Sequence, residues 1–287
     1  MFKVAIPNKG SLSQESVQML KEAGYRTRRN DRQLVVQDVE NNIEFFYLRP
    51  RDIAIYVGSG ILNAGITGLD LLLDSGSEAE LVTKLGFAGS TFRFAAPRPL
   101  VESEEYISVK SLQGKRIASA YQNLTLNYLH SKNIKPAKVV KLDGAVESSI
   151  QLGVADVIAD VVSTGTTMRN AGLEIFGDPI LKSEAVLIRS KNTEESNTNL
   201  QVLEARLRGV VTAREYVLMD FDIPTNLVEK STEICPGFQS PTISSLANGD
   251  SAVRVMIRKK EMNDIMDKLY ELGARGILIT SILASRL

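Results

Sequence analysis

Between Asp156 and Thr167 the chain reads D-V-I-A-D-V-V-S-T-G-T-T. Apolar, β-branched residues run straight into a loop of hydroxyls around one glycine, Ser163-Thr164-Gly165-Thr166-Thr167, and a helix-like segment over 168–171 follows. A buried strand that turns at once into a helix is the unit from which layered α/β sheets are built. The loop gathers hydroxyls and backbone amides ahead of a helix N-terminus, where unpaired N–H groups and the positive end of the helix dipole favour an anion. Asp160, four residues before Thr164, is placed to accept hydrogen bonds from sugar hydroxyls. Together these features ask for a sugar phosphate. The loop alone reads equally well as a Ser/Thr helix cap with no ligand; the acid on the strand favours the ligand.

The alternation of strand and helix starts at the first residues. Residues 2–7 read as a buried strand, and Ser11 with Gln14 as a capping box opening a helix to Ala23, stopped by Gly24. Segments 34–39 and 43–48 form a hairpin around Glu40-Asn41-Asn42. A helix opens at Arg49-Pro50-Arg51-Asp52, and strands at 64–68 and 81–85 flank a short helix. A second unit begins at 92–96. It takes in strands at 116–119 and 138–142, helices at 123–132 and 145–152 and the phosphate loop, and ends near Pro179. A strand at 185–189 and a helix around 200–207 return to complete the first unit. After Gly209 the pattern changes to a strand at 211–219, a helix at 227–232 and strands at 242–246 and 253–257. A helix with Met262, Ile265, Met266, Leu269 and Leu272 on one face follows, then a strand at 277–282. That order, β-α-β-β-α-β, is ferredoxin-like. The expected fold class is α/β, a two-lobed, periplasmic-binding-protein-like body followed by a ferredoxin-like (ACT-like) α+β domain. Its expected domains are lobe I over 1–90 with 181–209, lobe II over 91–180, and a last domain over 210–287.

Composition removes several function classes. The 34 basic and 34 acidic residues cancel, so no excess positive field invites nucleic acid. One cysteine, Cys235, excludes an intramolecular disulfide and a multi-cysteine zinc site. One histidine, His130, argues against a histidine metal cage or a serine triad. No apolar run approaches the ~18 residues of a membrane span, and the N-terminus lacks a signal-peptide pattern. A cytoplasmic location with no membrane partner is the expectation.

Lys9, Arg49 and Arg51 stand beside turns at expected strand ends, where ligands of open α/β sheets lie. Three cations there suit a polyphosphate; taken singly, each reads as a solvated surface charge. Glu147, expected one turn into a helix after Asp143-Gly144, reads either as a dipole-stabilising acid or as a magnesium or ribose contact. Tyr121 and Asn123 follow a strand end, where the ring either stacks on a base or covers the core edge. His130 reads as a helix-end surface residue and Cys235 as buried and inert.

Segments A-I-P-N-K-G-S-L, F-F-Y-L-R-P-R-D-I, G-I-T-G-L-D, K-R-I-A-S-A-Y-Q-N-L, L-D-G-A-V-E and A-D-V-I-A-D-V-V-S-T-G-T-T occur in this order. With their spacing, over the whole chain, they resemble the ATP phosphoribosyltransferases, the first enzymes of histidine biosynthesis. The last ~80 residues, with P-G-F-Q-S-P-T-I, resemble the regulatory domain of the long form.

The resemblance implies a Mg²⁺-dependent transfer in which N1 of ATP attacks C1 of 5-phosphoribosyl 1-pyrophosphate, giving N1-(5-phosphoribosyl)-ATP and pyrophosphate. It implies that Ser163, Thr164, Gly165, Thr166 and Thr167 cradle the 5-phosphate and that Asp160 holds the ribose hydroxyls, with Glu147 nearby. Arg49 would neutralise the departing pyrophosphate, Lys9 and Arg51 would support the polyphosphate end, and Tyr121 would line the nucleotide side. The family often carries Ala or Arg where Thr166 stands, so that side chain is not expected to be essential. The metal ligands stay unassigned. The resemblance further implies feedback inhibition by L-histidine, bound between regulatory domains of neighbouring subunits by Asp222, Phe238, Thr242, Met256 and Gly276. It also implies a homo-oligomer, a hexamer built from dimers. Two other readings of the same layers are a solute-binding receptor and a non-catalytic amino-acid sensor. The absent signal peptide counts against the first; the phosphate loop with Asp160 counts against the second.

Overall fold

A computed structural model describes residues 1–27, 33–102, 108–162 and 165–286. The chain starts with β1 (Phe2–Pro7), α1 (Ser11–Glu22), β2 (Val35–Asp38), β3 (Ile43–Leu48), α2 (Pro50–Gly58), β4 (Ala64–Gly68), α3 (Leu69–Ser75) and β5 (Glu80–Lys84). It continues with β6 (Ser90–Pro97), α4 (Arg98–Glu102), β7 (Arg116–Ser119), α5 (Gln122–Ser131), β8 (Lys138–Lys141), α6 (Ser148–Gln151), β9 (Val157–Val162), α7 (Thr166–Asn170) and β10 (Leu173–Ser183). The last elements are β11 (Ala185–Arg189), α8 (Thr198–Glu215), β12 (Tyr216–Ile223), α9 (Val228–Ile234), β13 (Thr242–Ser245), β14 (Ser251–Arg258), α10 (Met262–Leu272) and β15 (Arg275–Ser281). Residues 1–18 with 25–201 form one compact unit, and residues 19–24 with 202–287 another.

The first unit holds two sheets. One has strand order β2-β3-β1-β4-β11-β5, with β1 parallel to both β3 and β4. Central β1 is apolar on both faces because both are covered: Val4, Ala5 and Ile6 are fully buried. The strand expected at 185–189 does return here, antiparallel to β4 and β5. The second sheet has order β10-β6-β9-β7-β8, with β7 parallel to β8 and β9. Alternate residues serve its two faces: Phe92, Phe94 and Ala159 pack into one core, and Ala95, Ile158 and Val162 into the other.

The second unit carries a four-stranded antiparallel sheet of order β13-β14-β12-β15. Numbered within the unit this is 2-3-1-4, the ferredoxin-like arrangement expected from β-α-β-β-α-β. Val217, Met219, Phe221, Val253, Val255 and Ile257 pack against Ile265 and Leu269 of α10. The alternate residues of β12 and β14, among them Asp222, Arg254 and Met256, point to the other face. The expected fold class therefore holds.

Several local expectations are corrected. Residues 211–215 are helical: Leu200, Leu203, Leu207 and Val210 are buried at three- and four-residue spacing, which carries α8 through Gly209 to Glu215 and delays the strand to Tyr216. The helix expected at 145–152 shrinks to Ser148–Gln151, because Gly144 and Ala145 both hold positive φ and extend the turn. Glu147 thus precedes the helix instead of lying a turn inside it. The second unit of the sequence reading does not stop near Pro179: β10 runs to Ser183 alongside β6, with its register shifting between Phe176 and Leu181. Ser11 is the first helical residue of α1, not its cap.

Candidate active site

The parallel strands of both sheets of the first unit end in the segments that carry the candidate residues. Lys9 follows β1, Arg49 and Arg51 follow β3, Tyr121 follows β7, Glu147 follows β8 and the hydroxyl loop follows β9. Ligands of open α/β sheets collect at such carboxyl ends.

Arg49 is the residue before α2, in extended conformation, with Pro50 opening the helix. Thr67 Oγ1 donates to the Pro50 carbonyl at 2.8 Å, tying this turn to β4. Arg49 and Lys9 are exposed. Arg51 faces inward: Nη1 donates to Asp74 Oδ2 at 2.7 Å, and the guanidinium lies 4.9 Å from the centre of the Tyr121 ring. Tyr121 packs edge-on against Phe92 with ring centres 5.3 Å apart. Burial, then the charge and hydrogen bond of Asp70, hold its phenol well above the ordinary range, so the ring is neutral at every working pH. Its ring joins the core edge and also faces the Arg51 guanidinium.

Asp160 lies near the end of β9, and its Oδ1 accepts from the Val161 amide at 2.8 Å. Its pKa is pushed up to about 6. Burial is the main cause; the Val161 amide opposes it, Glu147 and Asp70 add like charge, and Arg51 opposes. Asp160 thus feels Glu147, Asp70 and Arg51, and Tyr121 feels Asp70, Arg51 and Asp160, although the five come from different segments.

Ser163 and Thr164 lie outside the described residues. Of the rest of the loop, Gly165 is buried and holds φ +72°, which glycine adopts without strain, at the position just before α7. Thr166 and Thr167 are exposed in the first turn of α7. Arg169 Nη2 donates to Thr166 Oγ1 at 3.4 Å. His130 is exposed on α5. Cys235 is buried, its Sγ donates to the Ser231 carbonyl at 3.1 Å, and burial pushes its thiol up to about 11, so it is inert as expected.

Sequence reasoning missed two acids. Asp70, second residue of α3, is 7% exposed, accepts from Ser183 Oγ at 2.7 Å and bears on the Tyr121 phenol. Asp74, 6% exposed, takes Arg51 and the α5 amide end. The available signal was position: both acids follow the carboxyl end of a parallel strand within an otherwise apolar helix.

In the second unit the five regulatory candidates fall in two pairs and one separate residue. Phe238 donates its amide to the Met256 carbonyl at 2.9 Å and meets Tyr216 edge-on at 5.3 Å. Phe238, Met256 and Tyr216 line a cavity of about 310 Å³ together with Cys235, Arg258 and Glu261. Asp222 pairs with Ala252, four residues along β14 from Met256, so about 14 Å separates the two positions. There Gly276, at φ +59°, leaves room beside the Asp222 carboxylate. Thr242 stands exposed on β13 opposite Arg254.

An ATP phosphoribosyltransferase family model matches residues 49–209, and a model described as HisG, C-terminal domain, matches residues 213–284. An ATP phosphoribosyltransferase of Pseudarthrobacter chlorophenolicus is 58% identical over all of both chains. Those of Bifidobacterium longum and Streptomyces coelicolor are 54% and 52% identical with the same complete coverage. The chain belongs to the ATP phosphoribosyltransferase family. It is an enzyme of histidine biosynthesis and, with both family regions present, of the long form. A solved ATP phosphoribosyltransferase (HisG:HisZ) complex from Thermotoga maritima contains a chain that superposes with TM-score 0.61 at 27% identity, covering 74% of this chain and 98% of that one. No helix of the described residues is long and apolar enough to cross a membrane.

Proposed function

We propose that this phosphoribosyltransferase joins C1 of 5-phosphoribosyl 1-pyrophosphate to N1 of the ATP adenine. The N1 lone pair forms the new C1–N1 bond. The C1–O bond breaks with its electron pair left on pyrophosphate, and the displacement itself moves no proton. Such a step needs placement and charge complementarity more than a nucleophilic side chain, which suits a chain with a single, peripheral histidine. Asp160 carries the reading: a half-buried carboxylate beside the hydroxyl loop, among Glu147, Asp70 and Arg51. We assign it to the ribose 2- and 3-hydroxyls, where its charge favours positive charge developing at C1. Residues 163–167 hold the 5-phosphate. Tyr121 lines the nucleotide side, Arg51 and Lys9 the polyphosphate end, and Arg49 meets the leaving pyrophosphate.

Among the described residues no three His, Cys, Asp or Glu side chains gather into a metal cage. Mg²⁺ needs only one or two carboxylates besides substrate phosphates, and the neighbouring Asp160 and Glu147 fit that demand. Bound Mg²⁺ would supply charge neutralisation at the pyrophosphate.

The two sheets of the first unit then serve as lobes, the second reaching Ser183 at the end of β10, and the regulatory domain is the unit that follows from within α8. L-Histidine binds in that last domain and inhibits. A cationic nitrogen goes to Asp222 and polar contact to Thr242, with apolar walls from Phe238 and Met256 and close approach at Gly276. The separation of Asp222 from Met256 supports a pocket shared by two subunits of a hexamer built from dimers, in the cytoplasm. The experiment is pyrophosphate release from ATP plus phosphoribosyl pyrophosphate with Mg²⁺. Release that needs both substrates and falls as histidine rises is expected; release from either substrate alone contradicts the reading.

A further inference from the structure

Asp74 is a carboxylate where helix physics disfavours one. It sits in the last turn of α3, whose carbonyl end repels negative charge, and it is almost wholly buried. Three contacts hold it. Oδ2 accepts from Arg51 Nη1 at 2.7 Å, and Oδ1 from the Leu124 amide at 3.1 Å. Its carbonyl accepts from Asn123 Nδ2 at 2.8 Å. Leu124 is the third residue of α5, the position whose amide a helix cap normally satisfies. Tyr121, which precedes that helix, provides no side-chain cap. Asp74 is therefore the cap of α5, delivered from fifty residues earlier.

The geometry has a consequence for the site. Tyr121 is the residue from which α5 starts, and Arg51 lies over its ring. One carboxylate thus fixes both halves of the Arg51–Tyr121 stack, the guanidinium through one oxygen and the helix behind the ring through the other. It also joins the first sheet's α3 to the second sheet's α5. The Arg51 side of the pair is 38% exposed, and ion pairs open to solvent add little to stability, so stability alone gives weak reason for a carboxylate here. We infer that Asp74 is a positioning residue for the transfer, aligning Arg51 and Tyr121 for the polyphosphate substrate. The inference rests on the reading of Arg51 as a substrate contact.

The test uses the full-length chain, with ATP and phosphoribosyl pyrophosphate affinities measured separately by calorimetry for Arg51→Gln, Asp74→Asn and the double variant. Asp74→Asn keeps an oxygen for the Leu124 amide but leaves Arg51 without its charge partner. Expected is an affinity loss of about tenfold for whichever substrate Arg51→Gln weakens, with the other substrate unaffected. In the Arg51→Gln background the second change adds less than about twofold, because the two residues act as one. Should Asp74→Asn fail to fold, Asp74→Glu carries the test: the charge stays, Arg51 is displaced, and the same substrate is weakened. Parent affinity in a folded Asp74→Asn or Asp74→Glu, while Arg51→Gln is impaired, overturns the positioning role alone. Fully additive losses in the double variant do the same. Parent affinity for both substrates in Arg51→Gln overturns the underlying site reading and this inference with it.

Discussion

At the scale of the residue, the site reading makes Asp160 work ionised while its surroundings resist the charge. Its folded value is about 6 against an ordinary 3.8. Between those values the folded chain keeps a proton that the unfolded chain has lost. Its contribution to stability is therefore full below about 4 and is lost as pH rises through about 6. Activity runs the opposite way, since ribose binding and charge at C1 call for the carboxylate. The acid limb of kcat/KM is expected near pH 6 in the parent and absent in Asp160→Asn. That variant is expected to lose about a hundredfold or more in kcat and to melt higher than the parent at pH 7.5. A kcat/KM profile of unchanged shape in Asp160→Asn, or a lower melting temperature at pH 7.5, would remove Asp160 from the centre of the account. Asp160 was legible in the sequence because an acid interrupts an apolar strand just before the loop. Asp70 and Asp74 were not, because their partners Ser183, Tyr121, Arg51 and Leu124 become neighbours only in the folded chain.

At the scale of the element, most strands and helices announced themselves through apolar period and turn residues, and the misses have identifiable causes. The stretch Val210-Val211-Thr212 has β-branched residues that favour a strand, yet it continues a helix whose buried leucines set a helical period. Packing outweighed local propensity. The Gly177-Asp178-Pro179 stretch read as an end, but it interrupts the β10 ladder only between Phe176 and Leu181, and pairing with β6 resumes beyond it. Gly209 read as a boundary because the pattern of elements changes after it. The structure gives it another purpose: a Cβ there would run into the Ser285 carbonyl oxygen, and Ser285 Oγ donates to the Gly209 carbonyl at 3.1 Å. Alanine in a helix interior normally gains roughly 1 kcal/mol over glycine. Here Gly209→Ala is expected to lower the melting temperature by several degrees, about 1 kcal/mol or more net, and to open residues 282–286 to proteolysis. A raised melting temperature would show that the close approach is unimportant.

At the scale of the whole molecule, the order of the elements carries the division of labour. The residues assigned to chemistry lie in the first unit, and those assigned to histidine lie in the second, on or beside its sheet. The ferredoxin-like order was visible in the sequence. The 14 Å spread of the histidine candidates was not, because it depends on strand register. Inhibition requires that histidine bind one state of the enzyme better than another. Asp222→Ala, assayed at saturating substrates, is expected to shift half-inhibition to at least about tenfold more histidine, the cost of losing a charge-assisted contact. An unchanged inhibition curve would detach Asp222 from the pocket.

Phosphoribosyl transfer to N1 of ATP can be read on the product itself. ATP labelled with ¹⁵N at adenine N1 is turned over with phosphoribosyl pyrophosphate and Mg²⁺, and the product is read by proton–nitrogen correlation spectroscopy. A new correlation from a second ribose H1′ to the labelled N1 is expected, formed in step with one pyrophosphate per product. A product whose new ribose proton correlates with any other nitrogen, or pyrophosphate released with no new correlation to N1, would contradict it.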